Sequence, residues 1–107
     1  MTLLQKQQLF GFLLQQLIGW IYANGWAVTL GEGYRSDGQG HMPGSLHYER
    51  LAQDLNLFVG NDWKETDCPE WQAIGTAWKS FNPLCRWGGD FQEIDLNHFS
   101  LEHNGRA

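Results

Sequence analysis

Ser45-Leu46-His47-Tyr48-Glu49-Arg50-Leu51-Ala52-Gln53-Asp54 is the stretch whose reading decides the fold, taken together with the distant run Asp95-Leu96-Asn97-His98-Phe99. Between them the two runs carry two imidazoles and two carboxylates. Two histidines and one carboxylate are what a catalytic zinc site asks for, because a further coordination position must stay open for water. The second carboxylate would then remain available to move protons.

The first run admits two readings. As a helix it would place His47 and Asp54 on one face above an apolar stripe of Leu51, Leu55 and Phe58. As a turn followed by a strand it sends Leu51, Gln53, Leu55, Leu57 and Val59 one way and Ala52, Asp54, Asn56 and Phe58 the other. The alternation from Leu55 to Val59 and the stop at Gly60 favour the strand, so His47 reaches Asp54 only through a bend between them. Asp95 and His98 stand three residues apart and would face opposite ways on a flat strand. They share a site only if the backbone turns or bulges there.

Moving outward, Thr2 can cap a helix whose apolar positions 3, 10, 13, 14, 17, 18 and 21 run up to the stop at Asn24-Gly25. Trp26 to Leu30 reads as a strand ending at Gly31-Glu32-Gly33, and Arg35 follows just before a glycine-rich loop, well placed to face a cleft. Pro69 opens a second helix with Trp71, Ile74, Trp78 and Phe81 on its core face, closed by Asn82-Pro83. Arg86 to Phe91 reads as a tight turn into the run Gln92 to Phe99, and the polar residues after Leu101 as a loose tail.

A chain of 107 residues, 42% of them hydrophobic, can bury the core of one domain. Its net charge of -5 argues against a nucleic-acid partner, since binding phosphates relies on Lys and Arg. Glutamines interrupt the apolar N-terminus, which fits neither a spanning helix of about 20 apolar residues nor a signal peptide. The expectation is synthesis in the cytoplasm without stable membrane insertion. Cys68 and Cys85 are only two, widely spaced and outside any C-x-x-C arrangement, and read as buried or free thiols, with a disulfide or metal role as the alternative. Spacing alone also leaves an ordinary reading of the polar residues open: a capped turn, a solvated aspartate and a half-buried histidine, with no H-E-x-x-H motif present.

The ordered combination Ser45-x-His47-x-x-x-x-Ala52-x-Asp54 and Asp95-x-x-His98-Phe99 resembles the zinc peptidase family of D-alanyl-D-alanine carboxypeptidases and phage L-alanyl-D-glutamate endolysins. Gly33-Tyr34-Arg35-Ser36 and Trp87-Gly88-Gly89-Asp90-Phe91 are similar to that family's arginine segment and glycine turn. The resemblance implies that His47, Asp54 and His98 are zinc ligands, that Asp95 is the catalytic base, and that Arg35 binds substrate or steadies the oxyanion. Ser45 matches the serine before the first ligand and is assigned to the substrate side. Two positions depart from the pattern: Arg50 stands where the family often has Gly, and Ser100 where an acid often follows Phe99. The implied whole is a monomeric α+β catalytic domain over residues 1–107 with no separate wall-binding module, its helices packed on a small, mostly antiparallel sheet and zinc on the open face. Its implied partner is the peptidoglycan stem peptide, cut between L-Ala and D-Glu by a lysin acting on the wall after release. A D,D-carboxypeptidase or dipeptidase acting on D-Ala termini, and a non-catalytic wall-binding module with structural zinc, are the alternatives.

Overall fold

In the computed structural model, which describes residues 1–34 and 45–107, local sequence rules set the first helix. Helix α1 spans Leu3–Ala23. The Thr2 hydroxyl accepts the Gln5 amide (3.1 Å) and the Gln5 side chain accepts the Thr2 amide (2.9 Å), so two otherwise orphaned donors are satisfied reciprocally. Gly25, at φ 83°, ends the helix in the left-handed region. Phe10, Leu13, Leu17 and Ile21 form its buried stripe.

Five antiparallel strands follow, interrupted by one further helix. Strand β1 is Ala27–Leu30, β2 Ala52–Val59, β3 Asp62–Trp63, β4 Cys85–Trp87 and β5 His98–Leu101; helix α2 is Pro69–Phe81. The sheet order is β1-β2-β5-β4, with β3 pairing back onto β2 as a short hairpin. Both helices pack against the sheet, as an α+β reading requires. Leu55 and Leu57 on β2, Phe99 and Leu101 on β5, and Trp71, Ile74 and Trp78 on α2 meet the α1 stripe in one core. Trp78 lies edge-on to both Phe10 and Phe99, with centroids 6.0 Å apart in each pair. Such pairs add about 0.5–1.5 kcal/mol each beyond the area they bury.

The fold departs from expectation in two places, the turn read at Arg86 to Phe91 and the loose tail. Arg86 and Trp87 belong to β4, and the ladder resumes only at His98, so Gln92 to Asn97 contribute no strand. Residues 94–97 alternate apolar and polar in sequence, yet Ile94 and Asp95 are both exposed, so no strand face is buried there. The C-terminal tail is tied down: His103 bridges Arg106, and the Lys6 ammonium donates to the Glu102 carbonyl (3.1 Å) beside His103 Nδ1 (3.1 Å). Both cysteines are free, and burial pushes the Cys85 thiol up to about 11.

Trp87 shows why the glycines beside it are needed. Its indole is wedged between Gly75 of α2 and Gly89, where an added Cβ would come within 2.2 Å and 2.3 Å of the ring. Its N–H donates to the Leu96 carbonyl at 2.7 Å, which fixes the segment carrying Asp95. Gly75→Ala should therefore destabilise the protein by about 1–3 kcal/mol through overpacking. Gly19→Ala, on α1 with nothing within 4 Å, should stabilise it by up to about 1 kcal/mol. Urea denaturation of the two variants checks both signs.

Candidate metal centre

Ser45 begins the local structure that presents His47. Its hydroxyl accepts the His47 amide (3.3 Å) and caps a single 3-10 turn, Leu46–Glu49. Arg50 then adopts φ 56°, ψ 36°, a left-handed conformation that costs a non-glycine residue about 1–2 kcal/mol. The bend demanded between His47 and Asp54 is this residue. Arg50 occupies the geometry that the family pattern often gives to Gly, and its guanidinium stacks 4.1 Å over the Tyr34 ring. That stacking contributes about 0.5–1 kcal/mol against the strain. The Leu51 amide donates to the Leu46 carbonyl (3.0 Å), and β2 starts at the next residue.

Asp54 and His98 are direct cross-strand partners in the β2–β5 ladder. Opposed residues of an antiparallel pair share a face, so the register itself places this carboxylate beside this imidazole. Phe99 and Leu101, on the alternate phase of β5, enter the core. Asp95 precedes His98 by one turn: the His98 amide donates to the Asp95 carbonyl (3.1 Å), and the Asp95 amide donates to Gly88 (2.9 Å). A Cβ on Gly88 would fall 2.0 Å from that Asp95 carbonyl, so only glycine allows the approach. The Asp95 carboxylate, half-exposed, lies 4.0 Å from His98 Nδ1.

Three acceptor atoms converge as a result. His47 Nε2 is 3.3 Å and His98 Nδ1 3.7 Å from Asp54 Oδ1, and one atom from each of the three residues fits within a 4.8 Å span. Four-coordinate zinc with bonds of about 2.0–2.1 Å separates its ligand atoms by about 3.3 Å, so two of these spacings are near those required. Both imidazoles are buried, and Asp54 Oδ1 is a buried oxygen with no hydrogen-bond partner among the described residues. Orphaned buried acceptors are rare because each costs about 1–3 kcal/mol, and a cation among them removes that cost.

The backbone orients the His47 ring. Strand-like bonding continues past β1, with the Gly31 amide donating to the Asp54 carbonyl (2.8 Å) and the Asp54 amide to the Glu32 carbonyl (2.7 Å). This carries the Gly33 carbonyl to 2.8 Å from His47 Nδ1, which donates to it and leaves Nε2 facing Asp54. Side-chain motifs could not reveal this partner, because it is a carbonyl. Burial opposes charge on His47, yet the adjacent Asp54 carboxylate, the hydrogen bond to the Gly33 carbonyl and the charge of Glu32 outweigh it and hold the imidazole above its ordinary value. Burial likewise opposes charge on Asp54, and the His47 and His98 imidazoles beside it hold it below its ordinary value.

Of the sequence-derived site residues, the structure brings together His47, Asp54 and His98, sets Asp95 beside them and uses Ser45 to cap the turn under His47. Arg35 lies outside the described residues. Ser100, the second departure from the pattern, is fully buried, with a hydroxyl that has no hydrogen-bond partner.

A 56-residue stretch covering 50% of the chain is 41% identical to part of a β-galactosidase from Staphylococcus xylosus. The match spans only 5% of that protein's length, and its named activity is a statement about that protein. The profile of the D-alanyl-D-alanine carboxypeptidase family matches residues 39–101, a range that includes the 3-10 turn, β2, α2, β4, the Asp95 turn and β5. With more than half of its length matched, and the matched part holding all three converging side chains, the chain belongs to the D-alanyl-D-alanine carboxypeptidase family.

Proposed function

We propose that this protein is a zinc-dependent peptidase that hydrolyses the stem peptide of peptidoglycan, most specifically the L-Ala-D-Glu bond. The observation that carries the reading is the convergence of one side-chain atom each from His47, Asp54 and His98, with a half-exposed carboxylate 4.0 Å from His98 Nδ1. His47 Nε2, Asp54 Oδ1 and His98 Nδ1 would hold the zinc. When bound, zinc supplies Lewis acidity that polarises a peptide carbonyl and acidifies water, with a net charge of +1 left after one carboxylate and two neutral imidazoles.

The remaining work falls to the chain's own residues. Asp95 takes the proton of the attacking water, whose oxygen joins the carbonyl carbon, and returns a proton to the amine nitrogen as the C–N bond breaks. Its exposure lets it reach substrate, while the Gly88 and His98 backbone bonds fix where it stands. Gly33 holds the His47 ring against rotation. Arg35, two residues further along the chain, is assigned to the negative charge that develops on the carbonyl oxygen. Ser45 supports His47 from below and is assigned to the substrate side of the same turn.

The description of the matched family favours a second reading, removal of terminal D-Ala by a D,D-carboxypeptidase. Digestion of purified muropeptides separates the two by product mass: release of the stem after L-Ala supports the first, and loss of one alanine or of D-Ala-D-Ala the second. On this reading the protein acts on the wall as a monomer, and no helix among the described residues is long and apolar enough to cross a membrane.

His47→Ala and His98→Ala should lose stoichiometric zinc and turnover together, whereas Asp95→Ala should keep zinc and lose turnover. Elemental analysis alongside the muropeptide assay checks both, and near-normal turnover in Asp95→Ala would remove it as the base. Arg35→Ala should keep zinc and lower kcat by about 10²–10³, as loss of one oxyanion donor does elsewhere. A loss of zinc in that variant would make Arg35 structural.

A further inference from the structure

The 3-10 turn that presents His47 is weakly held from within. Its bonds are long, with the Tyr48 amide 3.2 Å from the Ser45 carbonyl and the Arg50 amide 3.4 Å from the His47 carbonyl, and it ends on the left-handed Arg50. A single 3-10 turn has poorer hydrogen-bond geometry than an α-helix and does not persist alone. Leu46, fully buried in the core, fixes where the turn begins. Glu49, its last residue, is held from outside by two groups remote in sequence. The Gln7 side-chain amide on α1 donates to the Glu49 carbonyl (2.9 Å), and the Arg106 guanidinium lies 3.7 Å from the Glu49 carboxylate.

Arg106 reaches Glu49 by way of a built structure. Asn104 and Gly105 both take positive φ (51° and 78°), which a two-residue hairpin turn demands and Asn-Gly supplies at least cost. Reciprocal bonds between His103 and Arg106 (3.0 and 2.9 Å) close this turn, and the Glu102 carboxylate accepts the Gly105 amide. Lys6, next to Gln7 on α1, ties the base of the hairpin to the helix through the Glu102 carbonyl and His103 Nδ1. Helix and hairpin thus form one clasp, and both of its arms end on Glu49. Neither arm lies within residues 39–101, the part matched by the family profile. A half-exposed ion pair adds little to global stability, so what the clasp can change is the setting of the 3-10 turn.

We infer that Gln7 and Arg106 are positioning residues for the metal centre: acting together on Glu49, they keep the 3-10 turn in the setting that holds His47 Nε2 beside Asp54 and His98. The inference rests on the metal-centre reading above and extends it to parts of the chain outside the family match. His47 stands two residues before Glu49 on a turn only four residues long. With Glu49 released, Leu46 alone sets the turn, and Arg50 relaxes from its strained conformation. His47 then spends less time in the ligand geometry, and the apparent affinity for zinc falls by that fraction.

The test measures zinc affinity of the full chain by competition with a chelator. Gln7→Ala/Arg106→Ala should bind zinc about tenfold more weakly than the unaltered protein, the low end for groups that act on a ligand indirectly. Gln7→Ala/Arg106→Lys, which returns the charge, should recover most of that loss. Amide hydrogen exchange on the metal-free proteins is the second readout. In the double alanine variant the Leu51 amide, which closes the turn onto Leu46, should exchange about tenfold faster while the amides of α2 keep their rates. Unchanged zinc affinity in that variant, or a lysine variant as weak as it, would overturn the inference. So would exchange that quickens equally in α2, because the clasp would then be a general support of the fold. If the unaltered protein takes up no zinc, the metal-centre reading fails on its own and Leu51 exchange decides the clasp: selective quickening supports it, and an unchanged rate refutes it.

Discussion

The pairing of Asp54 with His98 across the β2–β5 ladder is the constraint on which the rest depends. A slip of one residue would turn every side chain of β5 to the opposite face, sending His98 into the core and Phe99 onto the site. Burial of Phe99 and Leu101 against Trp71 and Trp78 opposes that slip. Fully burying one such side chain is worth about 1.5–3 kcal/mol, so the core enforces the register and the register assembles the site. The hydrophobic half of β5 thus positions the polar half.

Around this pair, the other groups are delivered by backbone devices. Arg50, held left-handed, turns the chain between the 3-10 turn and β2 so that His47 lies over Asp54. Its stacking on Tyr34 also pins the segment whose Gly33 carbonyl fixes the His47 ring. On the far side, Trp87 and Gly88 grip the segment before β5 at the Leu96 carbonyl and at Asp95. Local strain is therefore found where function needs a geometry that regular strands cannot supply.

Much of this was legible in the sequence because it follows from side-chain period and end signals. Thr2 and Gly25 bracket α1, Pro69 starts α2, and the alternation from Leu55 to Val59 marks β2. The need for bends at residues 47–54 and 95–98 followed from the two-residue period of a strand, and the structure has a turn at each place. What stayed hidden has no side-chain signature. The Gly33 carbonyl, the left-handed Arg50 and the tail held by Lys6 depend on chain paths that meet only after folding. Arg86 and Trp87 looked like turn residues because of the glycines after them, yet those glycines accommodate the Trp87 ring and the Asp95 backbone.

The most direct measurement is diffraction from crystals grown with zinc, recorded on both sides of the zinc absorption edge. The account predicts one strong anomalous peak about 2.0–2.2 Å from His47 Nε2, an Asp54 carboxylate oxygen and His98 Nδ1. A peak bound elsewhere, or these three side chains ordered around no peak in zinc-saturated crystals, would contradict it.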